Sequence, residues 1–288
     1  MNACATPVNA GWSANLGLEF QYKHNRTVLA RNRHEGPLRV QRAFYPESLG
    51  QCHVYLLHPP GGIVAGDSLS IQAKVGSQAH GLLTTPSAGR VYKSNQQRLA
   101  QTQTVEIEVE PHGFGEWLPQ ENIVFNNAQA INRTKVNLAR DARFIGWEIT
   151  CLGRPAAQEV FEQGMITQSF ELYRENRPLL LEKNLIKGGS ELMQARWGLN
   201  GSKAMATLVC SVNDTTLLES TKAQCEAFCG TTNHGELIIV ATQLPQLLVV
   251  RAFAHQAEPI KNAFIDIWKR MRLHMLNTHA VAPRIWYT

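Results

Sequence analysis

Thr104-Val105-Glu106-Ile107-Glu108-Val109-Glu110 alternates apolar and acidic residues without a break. In an extended chain successive side chains point to opposite faces. Val105, Ile107 and Val109 therefore share one face, and Glu106, Glu108 and Glu110 share the other. That pattern reads as a strand with one buried face and one wet face. Working outward, His53–Leu57 reads as a more deeply buried strand. Leu82–Thr85, Lys135–Leu138, Phe144–Cys151, Gln168–Arg174 and Pro178–Asn184 also read as extended. Turn-forming clusters separate them, among them Pro59-Pro60-Gly61-Gly62 and Phe125-Asn126-Asn127. Strand-like character runs from about Gly11 to Asn200. Many short strands at this spacing point to a sandwich, a barrel or a β-solenoid. No strict sequence repeat decides among them.

The end of the chain changes character. Asp214–Cys229 reads as a helix, with Asp214 as N-cap, a stripe of Leu217, Leu218, Thr221, Cys225 and Phe228, and Gly230 as the stop. Leu237–Ala241 and Leu247–Phe253 read as strands joined through Pro245. Glu258–Leu276 reads as a second helix with Pro259 in its first turn. Its apolar face holds Ile260, Phe264, Ile267, Trp268, Met271 and Met275. The expected fold is mainly β. A large β-rich body, β-helix-like or sandwich-like, covers 1–212. A small α+β unit of about two helices, ordered helix–strand–strand–helix, covers 213–288 and packs on that body as part of one continuous domain.

Composition narrows the classes. The chain has 288 residues, 44% of them hydrophobic, enough for a sizeable core. The net charge is +5, but no cluster of Lys and Arg marks a nucleic-acid arm. Six cysteines (Cys4, Cys52, Cys151, Cys210, Cys225 and Cys229) come without a secretory signal or an apolar run of membrane-spanning length. The expectation is free thiols and a cytoplasmic protein with neither membrane nor nucleic acid as partner.

The local signatures of common enzymes are missing: no Gly-x-Ser-x-Gly elbow, phosphate loop, Gly-x-Gly-x-x-Gly, His-Glu-x-x-His or Cys-x-x-Cys. Cys225 and Cys229 share a helix face and could bind a soft metal, but the preferred reading is that both are small apolar residues of the core stripe. Cys52 and His58 fall on one side of a strand and His53 on the other, which argues against a shared metal site. His274 and His279 straddle a helix end, where plain exposure suffices. The passage His58-Pro-Pro-Gly-Gly-Ile-Val-Ala-Gly-Asp67 is richer. Pro59-Pro60 forces an extended entry, Gly61-Gly62 permits positive φ or close backbone approach, and Gly66-Asp67 makes a second turn.

This passage resembles the signature of the UreD (UreH) family of urease accessory proteins. Further blocks match in order: Leu83-Thr-Thr-Pro-Ser87 with Tyr92-Lys-Ser94, Glu116-Trp-Leu-Pro-Gln-Glu121, Gly146-Trp-Glu148 with Cys151-Leu-Gly-Arg-Pro155, Glu159 and Phe161, and Pro283-Arg-Ile-Trp286. The resemblance covers the chain from about Trp12 onward. Ala43 and Ala65 depart from the family's usual Pro and Gly.

The resemblance implies a non-catalytic scaffold that binds UreF and, through it, UreG, and that docks on apo-urease; a dimer within the accessory complex is compatible with it. It also implies no permanently bound cofactor, with nickel held transiently in an internal polar passage. Carried over motif by motif, the passage candidates are Asp67, Ser87, Glu148 and Glu182, with Glu121 and Glu159 behind them. Architectural readings stand beside each. Asp67 could simply close its turn, Glu148 could pair with Arg143 or Arg154, and Glu182 could pair with an arginine on an adjacent strand. The resemblance places the partner surface in the C-terminal region, on the second helix and the tail from Pro283 to Thr288. Trp286 and Tyr287 are its aromatic candidates, or else buried anchors. The alternative function is a carboxylate-based hydrolase using two of Asp67, Glu148 and Glu182 in an open cleft.

Overall fold

The computed structural model describes residues 11–230 and 237–287. Cys4 and the last residue of the tail, Thr288, lie outside these. Among the described residues the strands are β1 (Ser13–Lys23), β2 (Arg26–Glu35), β3 (Arg39–Phe44), β4 (Cys52–Leu57), β5 (Ser68–Val75), β6 (His80–Thr84), β7 (Gly89–Val91), β8 (Gln101–Val109) and β9 (Phe114–Trp117). They continue as β10 (Asn122–Val124), β11 (Gln129–Leu138), β12 (Arg143–Leu152), β13 (Met165–Arg174), β14 (Arg177–Lys187), β15 (Ala204–Cys210), β16 (Leu237–Leu244) and β17 (Leu247–Ala254). The α-helices are α1 (Glu191–Gln194), α2 (Thr215–Phe228) and α3 (Ala257–Leu276).

The strands form two sheets. One has seven strands, ordered β14-β13-β11-β8-β5-β1-β2. The other has ten, with β16-β17-β15-β12-β9-β6-β4-β3 in line, β10 beside β12 and β7 beside β10. From β4 to β13 the chain steps back and forth between the sheets, and neighbours within each sheet are mostly parallel. The body is thus a flattened β-helical winding whose two faces make a sandwich, so it combines the two architectures expected from sequence. The two late strands join the body's sheet: β17 pairs with β15, and β16 with β17.

The layers explain the sequence patterns. The seven-stranded sheet is wet on its outer face, so Val105, Ile107 and Val109 are buried while Glu106 and Glu108 are exposed. The central strands of the ten-stranded sheet are covered on both faces, by the other sheet and by α2 and α3, and most of their side chains are apolar. β15 is buried at every position and β4 at all but one.

Helix α2 starts where expected, with the Asp214 carboxylate accepting from the Leu217 N–H at 2.8 Å. Leu217, Thr221 and Cys225 are its buried stripe, so Cys225 is a core residue, while Cys229 is exposed. Helix α3 lays Ile260, Phe264, Ile267, Trp268 and Met271 on the ten-stranded sheet. The short α1 has no apolar period long enough to show in the sequence.

The Pro-Pro-Gly-Gly passage uses both freedoms of glycine. Gly61 has φ +78°, and a Cβ on Gly62 would sit 2.3 Å from the Tyr92 ring.

Candidate functional site

Between the sheets the apolar core is interrupted by a polar band. In the seven-stranded sheet the inward positions Gln103, Asn132, Gln168 and Asn184 are direct neighbours across β8, β11, β13 and β14. Thr134 and Glu182 point inward two residues along their strands. The ten-stranded sheet answers with Glu148 and Thr150 on β12, Thr207 on β15 and Arg251 on β17.

Side chains bridge the gap. Glu148 accepts from Thr134 Oγ1 and, at 2.8 Å, from Gln168 Nε2. Thr150 Oγ1 donates to Gln168 Oε1 at 3.2 Å. Glu182 accepts from Thr207 Oγ1 at 2.7 Å, and its other oxygen accepts from Arg251 Nε and Nη2 at 2.9 and 2.7 Å. The arginine that binds Glu182 therefore comes from the opposite sheet, not from an adjacent strand. Arg143 donates to the Met275 carbonyl and Arg154 pairs with Glu159, so neither binds Glu148. Burial pushes the Glu148 carboxyl above its ordinary range; Thr134 and Gln168 counter this in part, and the Glu182 charge adds to it. Asn132 Oδ1 is buried without a hydrogen-bond partner among the described residues.

Gln103 also lines a cavity of about 370 Å³, together with Ser87, His58, Arg90 and Asn122. Ser87 thus sits at a mouth whose floor continues into the amide row. Asp67 does something else. Its two carboxylate oxygens accept the Trp12 and Val64 N–H groups at 2.8 and 2.9 Å, closing its turn and anchoring the start of β1. Glu121 lies 3.7 Å from Lys261. Trp286 is a buried anchor: its Nε1 donates to Thr84 Oγ1 at 2.8 Å, and its ring packs on Trp147 and Trp268. Tyr287 is 67% exposed.

A second polar cluster, missed in the sequence, lies on the other face of the ten-stranded sheet, under α3. Arg272 is fully buried and donates from Nη2 to Glu47 Oε2 and from Nη1 to Glu116 Oε2, both at 2.5 Å. His53 Nε2 meets Glu47 and His80 Nε2 meets Glu116, each at 2.8 Å, and Trp268 Nε1 donates to Glu116 at 2.7 Å. Burial pushes the Glu116 carboxyl up, but Arg272, His80 and Trp268 outweigh it and hold the group down at about 2. Burial lowers His80, only partly offset by Glu116. A signal for this cluster was present: Phe264, Trp268 and Arg272 are spaced four apart, so Arg272 had to share the buried stripe and needed a buried acid.

The fold and band define a class: a β-wound protein whose polar chemistry is held inside, between its sheets. The model of the UreD urease accessory protein family matches residues 13–287. Proteins called urease accessory protein UreD are similar over nearly their whole length. That of Hahella chejuensis is 38% identical, covering 96% of this chain and 91% of its own. That of Alcanivorax borkumensis is 40% identical, covering 100% and 96%. That of Azoarcus sp. is 41% identical, covering 96% and 95%. The chain belongs to the UreD urease accessory protein family.

Proposed function

We propose that this chain is a non-catalytic maturation factor for urease. It recruits UreF and UreG to apo-urease and lets nickel, its cargo, pass through the band between its sheets. Family membership supports the first part. The observation that carries the second is the meeting of Glu148 and Glu182 within an otherwise apolar interior, in line with an amide row that reaches the Ser87 cavity. Buried carboxylates are costly unless paired, hydrated or liganded. Carboxylate and amide oxygens suit a borderline divalent ion, and their mixed, partly engaged state suits transit over storage. The raised Glu148 carboxyl favours return of its proton and hence release of the metal. No cofactor stays bound. Tyr287 and the exposed face of α3 offer the partner surface. The described cysteines are unpaired, in keeping with a reducing cytoplasm. Among the described residues no helix is long and apolar enough to cross a membrane.

The hydrolase alternative needs two carboxylates free in an open cleft. Asp67 is engaged by two N–H groups, Glu148 by Thr134 and Gln168, and Glu182 by Thr207 and Arg251, which favours the accessory reading.

The test is activation of apo-urease with UreF, UreG, GTP and nickel. Omitting this chain should abolish activation. Glu148→Gln and Glu182→Gln variants that still assemble should lower it about tenfold or more. Full activation by both variants would leave the scaffold standing and remove the passage.

A further inference from the structure

Both edges of the seven-stranded sheet carry exposed charges, mixed on one and basic on the other. β2 presents exposed Arg31, Arg33, His34 and Glu35, charges that discourage further pairing. β14 exposes Arg177, Lys183 and Lys187 together with Leu181 and Leu185, 61% and 59% exposed, and among the described residues it pairs only with β13. Across the sandwich the longer sheet runs on past β14. Helix α2 covers one face of β16 through Leu237 and Ile239. The register sets Val240 beside Arg251, whose side chain reaches the opposite sheet, so Val240 lies on the inter-sheet face. There it is 55% exposed. An unpaired, basic strand edge thus stands beside an exposed stretch of sheet floor, the geometry that accepts one more strand.

Charge selects the occupant. Lys183 and Lys187 share the exposed outer face of β14 and make no ion pair among the described residues. A second copy offering its own β14 would set Arg177, Lys183 and Lys187 against like charges. We infer that an extended, acidic segment of a partner protein adds to β14. It places apolar side chains on the inter-sheet side, over Val240, and carboxylates on the outer side, beside Lys183 and Lys187. This surface stands independently of the passage.

The probe is a capped peptide of alternating valine and glutamate, added to the full chain while backbone amide exchange is followed. The amides of 177–187 should exchange about tenfold more slowly with this peptide. A valine–lysine peptide should leave them unchanged. Val240→Asp, at an exposed position, should remove the protection and Val240→Ala should retain it. No protection, or equal protection by both peptides, overturns the inference. So does protection of β14 by self-association without peptide, which would assign the edge to a second copy.

Discussion

A single guanidinium, that of Arg272, forms ion pairs with two carboxylates drawn from positions 47 and 116. Removing it leaves Glu47 and Glu116 buried with only His53, His80 and Trp268 as partners. Arg272→Met should therefore cost about 3–5 kcal/mol, the range for breaking a buried ion pair from one side. Urea denaturation should show this as a lower midpoint with an unchanged slope. Combining it with Glu47→Gln and Glu116→Gln should recover part of the loss, because the uncompensated charges go as well. Residue types in the candidate band were legible only through family motifs. Glu148 and Glu182 could be picked out, but nothing local to β14 pointed to Arg251, which lies far along the chain and on the other sheet. Gln103, Asn132, Gln168 and Asn184 went unnoticed, because their alignment exists only once parallel strands are in register.

At the scale of elements, alternation was readable where one face meets water and unreadable where neither does. β8 announced itself through Val105, Ile107 and Val109. β15, buried on both faces, has no alternation, and the strand-like region was expected to end at about Asn200, before it. The caps of α2 and the apolar stripe of α3 were legible because they depend on local spacing alone. Turn chemistry was legible too, and it can be tested. Gly62→Ala would drive a methyl into the Tyr92 ring and the Arg90 carbonyl. It should cost about 1–3 kcal/mol as an overpacking change, visible as a lower melting temperature. Since Gly62 lines the cavity beside Ser87, the same variant should also alter that mouth.

Across the whole molecule, acid should act in two windows. His80 is lowered below its ordinary 6.5, so its folded form prefers to be neutral. Stability from that preference is full above 6.5 and falls as pH drops below it. Glu116 is lowered from 4.5 to about 2, so its contribution is full above 4.5 and is lost as pH falls towards 2. Glu148, raised above 4.5, works the other way: its contribution is full below 4.5 and is lost as pH rises through its folded value. Denaturation midpoints measured from pH 8 to pH 3 should decline in two steps. Arg272→Met should blunt the lower one, because it removes the group that holds Glu116 down. The position of Arg272 also bears on how the protein is made. Glu47 and Glu116 leave the ribosome long before the arginine that pairs with both. Until α3 emerges, the sheet it covers is both apolar and uncompensated in charge. A polypeptide cut short before α3 therefore has the described strands but no closed interior. Such products should aggregate or be degraded, and a pause late in translation should be more hazardous than one early on.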